Sequence, residues 1–236
     1  MKILITINTT WNIYNFRLGL LKELQKKGHT IIALAPPDEY VEKLEKAKIQ
    51  FNPISINAKG INPLEDLQLI RNYYKALKQI KPDAVLSYTI KPNVYATIAC
   101  RFLKIPVINN VSGLGTLFIK KSASSYIAQL LYHFAFKKSF WIFFQNKHDQ
   151  KEFERLKLIP KDKSSILPGS GVRLKKFAFE RKVNKGKRFL FVGRLLGDKG
   201  IREFIEAANR LSKEDASLHF NLVGELGYNN RTAIGK

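Results

Sequence analysis

MKILITINTTWNIYNFRLGLLKELQKKGHTIIALA, residues 1–35, decides the fold. Its first apolar run, ILITI (3–7), is short and β-branched, which marks a strand rather than a helix. Tyr14, Leu18, Leu21 and Leu24 then recur at three- and four-residue spacings, the period of a helix with one apolar face. HTIIALA (29–35) returns to the strand pattern. A strand, a helix and a second strand in this order form a β-α-β unit. Strands separated by a helix cannot pair as a hairpin, so they lie parallel with a right-handed crossover.

The alternation continues along the chain. FNPISI (51–56) precedes a helical segment carrying Leu67, Ile70, Tyr74 and Leu77, Pro82 breaks that helix, and DAVLSY (83–88) follows. PVINNV (106–111), a helix with Ile127, Leu130, Leu131 and Phe134, and FWIFF (140–144) complete a doubly wound α/β series over residues 1–172. NKHDQKEFERL (146–156) reads as a polar helix start. Past SSILPGSGV (164–172), residues 173–187 lack a sustained apolar period and read as a basic linker. A second series then begins in 188–236: RFLFVG (188–193), a helix with Ile201, Phe204, Ile205, Ala208 and Leu211, and LHFNLVG (218–224). Two strands cannot cover both faces of a parallel sheet, so this second domain is expected to be incomplete.

Lysine and arginine number 41 against 19 acidic residues, a net charge of +22. Such a field attracts nucleic acid, an anionic bilayer or phosphorylated substrates alike, and a solvated lysine-rich surface accounts for many of the basic pairs. No pattern of a nucleic-acid-binding fold accompanies the charge. One cysteine, Cys100, excludes an internal disulfide framework. The N-terminal apolar run is too short for a secretory signal, and YIAQLLYHFAFKKSFWIFF (126–144) is interrupted by His133, Lys137 and Lys138. A cytoplasmic protein without a membrane span is expected.

FLFVGRLLGDKGIREFIEAA (189–208) holds the sharpest chemical signal. Gly193 closes a strand, Arg194 and Lys199 flank the turn, and Gly200 lets the backbone pass closely as a helix starts. Two cations beside free helical N–H groups outline a pyrophosphate site, and a plain basic turn with Asp198 as helix cap is the other reading. Trp11, Asn12, Asn15, Phe16 and Arg17 follow the first strand, at the carboxyl edge where doubly wound sheets place ligands. An aromatic with amide and guanidinium donors suits a sugar or a phosphate, while Trp11 and Phe16 also suit plain packing. Thr89 and Lys91 follow the fourth strand in the same way. SGLGT (112–116), with Gly113 and Gly115, offers unobstructed backbone N–H groups or an ordinary turn. The four histidines and the cysteine show no zinc-ligand spacing.

FVGRLLGDKGIREFIEAA resembles the start of the C-terminal domain in GT-B glycosyltransferases of family 4. TTWNIYNFRLGLLKELQKKGHTIIALAPPDEY (9–40), YTIKPNVYATIACRFLKIPVINNVSGLGTLF (88–118) and ILPGSGVRLKKF (166–177) resemble successive parts of the same family. The likeness is to its bacterial branch that builds capsule, lipopolysaccharide and lipid-linked oligosaccharides. It implies a GT-B fold whose N-terminal Rossmann-like domain takes the acceptor and whose C-terminal domain takes the nucleotide-sugar donor. Arg194 and Lys199 would grip the donor diphosphate, supported by Gly193 and Gly200. Trp11, Asn12, Asn15, Arg17, Thr89, Lys91, Gly113 and Gly115 would line the acceptor side.

A retaining sugar transfer to a cell-surface or polyprenyl-linked glycan is implied, without a bound metal or other cofactor and with no nucleic-acid partner. Two departures from the family stand out: NTTWN replaces a glycine-rich first loop, and YTIKP carries no histidine after the fourth strand. The family's later paired glutamates do not follow GELGYNNRTAIGK, so a chain truncated within its donor domain is expected, with a non-catalytic remnant that binds acceptor or partner as the alternative. Lys120, Lys121, Lys137 and Lys138, near Tyr126, Phe134 and Trp141, would hold such an enzyme against the anionic inner face of the plasma membrane.

Overall fold

The computed structural model of the chain describes residues 1–57, 62–113, 123–160, 162–172, 174, 177–178 and 187–224. They belong to two compact units, Met1–Phe177 and Ala178–Lys236. Gly115, Lys120, Lys121 and most of the expected linker lie outside the described residues.

The first unit opens with β1 (Lys2–Thr6), α1 (Thr10–Asn12), a π-helical turn (Ile13–Arg17), α2 (Leu18–Lys26), β2 (Thr30–Ala35), α3 (Val41–Lys46) and β3 (Gln50–Pro53). It continues with α4 (Pro63–Ile80), β4 (Ala84–Tyr88), α5 (Ile90–Leu103), β5 (Val107–Val111), α6 (Ala123–Phe136), β6 (Trp141–Phe144), α7 (Lys147–Arg155) and β7 (Ser164–Ile166). The seven strands form one sheet in the order β3-β2-β1-β4-β5-β6-β7, and every neighbouring pair is parallel. The chain therefore winds outward from β1 on one side and from β4 on the other. The strand order reverses between those two strands, and in open α/β sheets the crevice beyond the carboxyl ends at such a point is where ligands bind.

Both faces of the sheet are covered, which explains why β1 and β2 read as continuous apolar runs. Ile3, Ile5 and Ile7 pack with Leu18, Leu21 and Leu44 on one face. On the other, Leu4, Val85 and Val107 pack with Tyr73, Cys100, Phe136 and Phe153. Phe153 sits at the centre of an aromatic group, its ring centroid 5.3 Å from Tyr132 and 5.2 Å from Phe144. The Tyr73 hydroxyl shares a 2.9 Å hydrogen bond with Thr6 across the core.

A polar group is buried among these apolar side chains. Asn109 of β5 donates to Thr97 Oγ1 at 2.8 Å and to Asn93 Oδ1 at 3.2 Å, and accepts from Ser139 Oγ at 2.7 Å. Asn93 in turn donates to the Asn110 carbonyl at 2.9 Å. A buried amide is tolerated only when its hydrogen bonds are met in this way.

Two helix faces differ from the sequence expectation. In α4 the buried residues are Leu69, Tyr73 and Leu77, while Leu67 and Tyr74 are exposed. The adjacent Tyr73 and Tyr74 give two plausible stripes, and the Thr6 hydroxyl selects the one with Tyr73. In α6 the buried apolar side chains are Tyr132, Ala135 and Phe136, and Ile127, Leu130 and Phe134 face solvent. That helix is apolar on more than one side, so periodicity alone does not choose its core face.

The second unit has β8 (Arg188–Val192) and β9 (His219–Val223), paired in parallel and joined through α8 (Ile201–Glu214). Phe189 stacks on Phe220 at 5.0 Å, and Phe204 of α8 meets Phe191 and Phe220. Leu190, Val192, Leu222 and Val223 are exposed, as expected of a two-stranded parallel sheet.

Because Phe153 is fully buried and joins three other rings, Phe153→Ala is expected to cost about 3–5 kcal/mol, read as a lowered midpoint in equilibrium urea unfolding of the first unit.

Candidate functional site

The loops after β1 and β4 meet where the strand order reverses. Thr9 caps α1, accepting from the Asn12 N–H at 3.1 Å. Asp38, from the loop after β2, accepts from the Thr10 hydroxyl, from the Trp11 N–H at 2.9 Å and from the Tyr40 N–H at 2.8 Å. Burial works against the charge, but these hydrogen bonds win and hold the Asp38 carboxyl below its ordinary range. The first loop is thus tied to the second.

The sequence-derived residues of this loop divide into two kinds. Trp11 and Phe16 are exposed and meet edge to face at 5.3 Å, leaving an aromatic surface beside the carboxyl edge. Asn12 is half-buried. Asn15 uses one amide donor on the Trp11 carbonyl at 3.0 Å, so part of its bonding capacity is spent on the loop itself. Arg17, expected to reach outward, is only 8% exposed. The π-helical turn Ile13–Arg17 carries it inward. Its guanidinium lies 4.3 Å over the Tyr88 ring, and its Nη1 donates to Ser170 Oγ. Burial pulls its pKa down, with Tyr88 opposing.

At the end of β4, Thr89 takes φ 62° and ψ 165° as the N-cap of α5. That region is essentially glycine's, and a β-branched residue held there carries backbone strain. Its hydroxyl donates to the Tyr88 carbonyl at 2.6 Å instead of capping the helix. Asn8, Thr89, Ile90, Lys91, Ser112 and Gly113 line a pocket of about 320 Å³ at the strand reversal. The buried Asn8 Oδ1 has no hydrogen-bond partner.

Lys91 also lines a second pocket of about 530 Å³, with Ser55, Asn57, Gln68 and Asn72. Its ammonium is 2.7 Å from Asp66 Oδ1, and both side chains are largely buried. Tyr95 bonds the same carboxylate; burial first and Asp66 second push the phenol pKa up. Asp66 and Tyr95 therefore set where Lys91 points. Neither was singled out from sequence, because Asp66 sits in the first turn of α4, where a carboxylate is ordinary.

In the second unit, Gly193 closes the strand pairing by donating from its N–H to the Val223 carbonyl at 3.0 Å. A single 3₁₀ turn, Gly197–Lys199, leads to Gly200, which caps α8 in the left-handed conformation at φ 77°. Gly200 itself stands at the N-cap, and the side chain of Asp198, the alternative cap, lies outside the described residues. Arg194 and Lys199 are both exposed on this turn.

A further surface lies on α5 and α6. Tyr126, Ile127, Leu130 and Phe134 are exposed along α6, with Phe102 and Phe140 also exposed. Arg101 covers the Phe134 ring at 4.2 Å, and Lys104, Lys137 and Lys138 are exposed on the same two helices' ends. Trp141 instead lies half-buried on β6, donating to Ser165 Oγ at 3.0 Å. Among the described residues no helix is long and apolar enough to cross a membrane.

Residues 2–146 match the family described as glycosyl transferase 4-like. The N,N'-diacetylbacillosaminyl-diphospho-undecaprenol alpha-1,3-N-acetylgalactosaminyltransferase of Campylobacter jejuni is 29% identical over 231 residues, covering 90% of this chain and 60% of that protein. The UDP-Gal:alpha-D-GlcNAc-diphosphoundecaprenol alpha-1,3-galactosyltransferase of Escherichia coli is 29% identical over 164 residues, 64% of this chain and 42% of that protein. The chain thus spans less than two thirds of either relative. Among solved structures, UDP-GlcNAc 2-epimerase from Neisseria meningitidis bound to UDP-GlcNAc superposes with a TM-score of 0.62 at 18% identity, over 98% of this chain and 66% of that one. That likeness is one of fold.

Strain at Thr89 makes a stability prediction. Thr89→Gly removes a backbone cost of about 1–3 kcal/mol while giving back about 1 kcal/mol of chain entropy, so the variant is expected to unfold at an equal or higher urea concentration than the wild type. A clear loss of stability would show that contacts of the Thr89 side chain outweigh the strain.

Proposed function

This chain belongs to the glycosyl transferase 4-like family, and from that premise we propose that it carries the acceptor-side domain and the beginning of the donor domain of a retaining GT-B glycosyltransferase. The donor is a nucleotide-diphospho sugar, and the acceptor is a saccharide on a polyprenyl diphosphate or a related cell-surface glycan. The observation that supports this reading best is the pocket at the strand reversal, where Asn8, Thr89 and Lys91 converge with an exposed aromatic pair nearby. Amide, hydroxyl and ammonium groups beside an aromatic face are the chemistry of sugar binding, and both curated relatives carry diphospho-undecaprenol saccharides in their names.

In this reading residues 1–172 hold the acceptor, 173–187 link the domains, and 188–236 begin the donor domain. The acceptor hydroxyl approaches through the loops after β1, β4 and β5. Lys91 is held by Asp66 and presents a fixed cation to the pocket. Arg194 and Lys199 neutralise the departing diphosphate without calling on a metal, aided by the backbone N–H groups at the start of α8. Groups aimed at developing charge in a closed site lower the barrier by about 3–4 kcal/mol each.

The exposed face of α6 serves the same reading. An apolar stripe of Tyr126, Ile127, Leu130 and Phe134, bordered by Arg101, Lys104, Lys137 and Lys138, matches an anionic bilayer surface, where a lipid-linked acceptor resides. Each basic residue near such a surface contributes about 1 kcal/mol.

Titration with UDP and GDP is expected to raise the thermal midpoint of the chain, by about 2.7 kcal/mol of added stability at a hundredfold excess over Kd, and Arg194→Ala with Lys199→Ala is expected to diminish the rise. Absence of any shift with either nucleotide would reject the donor assignment. Separately, sedimentation with phosphatidylglycerol-rich liposomes is expected to be salt-sensitive and to weaken by at least about tenfold in Lys137→Glu with Lys138→Glu. Unchanged partitioning would reject the membrane assignment.

A further inference from the structure

Among the described residues Arg17 is a buried cation without a counter-charge. It is 8% exposed, and among the described residues no carboxylate pairs with it. Its two contacts are neutral: the face of Tyr88 and the hydroxyl of Ser170. Removing a charge from water is costly unless it is paired, and a ring face with one hydroxyl offsets only part of that cost.

The unmet bonding capacity of this guanidinium has a direction. Nη1 is used on Ser170. Nε is enclosed and has no partner. Among the described residues Nη2 has no partner either, and it is not enclosed as Nε is. Nε and Nη2 form one edge of the planar fork, the edge that engages two oxygens of a phosphate or carboxylate side-on. The free edge of Arg17 therefore has one end sealed and one end open.

The surroundings fit an anion. Ser170 sits between Gly169 at φ 80° and Gly171 at φ 69°, in the segment that returns from β7 at the sheet edge to the centre of the carboxyl side. A π-helical turn delivers Arg17 to the same place, and such turns often mark functional positions. Tyr88, beneath the guanidinium, immediately precedes the strained Thr89 of the pocket.

We propose that Arg17, with Ser170, forms a phosphoryl-binding site within the first unit, separate from Arg194 and Lys199, and that it takes a phosphate or diphosphate oxygen at Nη2, the open end of that edge. The proposal rests on the transferase reading only for the origin of that group, which is either the donor nucleotide or the lipid diphosphate of the acceptor.

Inorganic pyrophosphate is the probe. Titrated into the full chain, it is expected to shift the Arg17 Nε–H signal in a proton-nitrogen NMR spectrum, assigned by its loss in Arg17→Lys. The shift should saturate and persist in the Arg194→Ala, Lys199→Ala double variant. Arg17→Lys keeps the charge and loses the fork, so its pyrophosphate affinity is expected to fall at least about tenfold. If Arg17→Lys does not fold, the wild-type NMR titration still decides the question.

An unmoved Nε–H signal at millimolar pyrophosphate overturns the site, as does a shift that vanishes in the double variant. UDP and farnesyl diphosphate, each added to the double variant, identify the source. A response to either supports the site and names its ligand, and a response to neither overturns it. Failure of UDP to act through Arg194 and Lys199 would count against the donor assignment alone.

Discussion

β1 is buried on both faces and paired in parallel on both edges, and the rest of the first unit depends on that constraint. A strand enclosed in this way must be apolar at nearly every position, as Ile3, Leu4 and Ile5 are. Its two neighbours must also be reached by crossovers, β2 through α2 and β4 through α4. The chain consequently leaves β1 and β4 in opposite directions, and their carboxyl ends open onto a shared crevice. Asn8, Thr89 and Lys91 occupy that crevice because of topology, before any of their own chemistry is considered.

The crevice is also where the structure departs from its own economy. In other parts of the unit side chains cap helices and satisfy polar groups: Asn62 caps α4, Asn146 caps α7, and Asn109 bonds Asn93, Thr97 and Ser139. At the carboxyl edge Thr89 accepts a glycine conformation, the Asn8 carbonyl oxygen is enclosed without a partner, and Arg17 is buried with an edge unpaired. Each is unfavourable for folding alone. Their clustering on one edge of one sheet is the pattern of a surface kept for a ligand.

The alternation of strands and helices, the parallel sheet and the position of the first loop were all legible in the sequence, because both periods are set by backbone geometry and survive in short windows. Side-chain direction was less legible. Arg17 follows the first strand closely enough to read as an outward donor, yet the π-helical turn shifts the helical phase and buries it. Leu130 and Phe134 read as core because α6 is apolar on more than one side. Asp66 was invisible for a different reason: a carboxylate in a first helical turn is commonplace, and only the fold brings Lys91 and Tyr95 to it from 25 and 29 residues away. Gly115 and the cations at 120 and 121 fall outside the described residues.

The buried amide of Asn109 has a consequence for how the sheet assembles. β5 carries Ile108, Asn109 and Asn110 in succession, so the one-position slide against β4 that brings Ile108 to the place of Asn109 would point an isoleucine at Thr97 and Ser139 and leave the Asn109 amide without those partners. Hydrophobic residues alone tolerate such slippage, since one branched aliphatic replaces another at little loss. An amide with three designated partners does not. The polar contacts in the interior thus act as an alignment key: they discriminate against mispaired intermediates that would otherwise be nearly as compact as the native sheet.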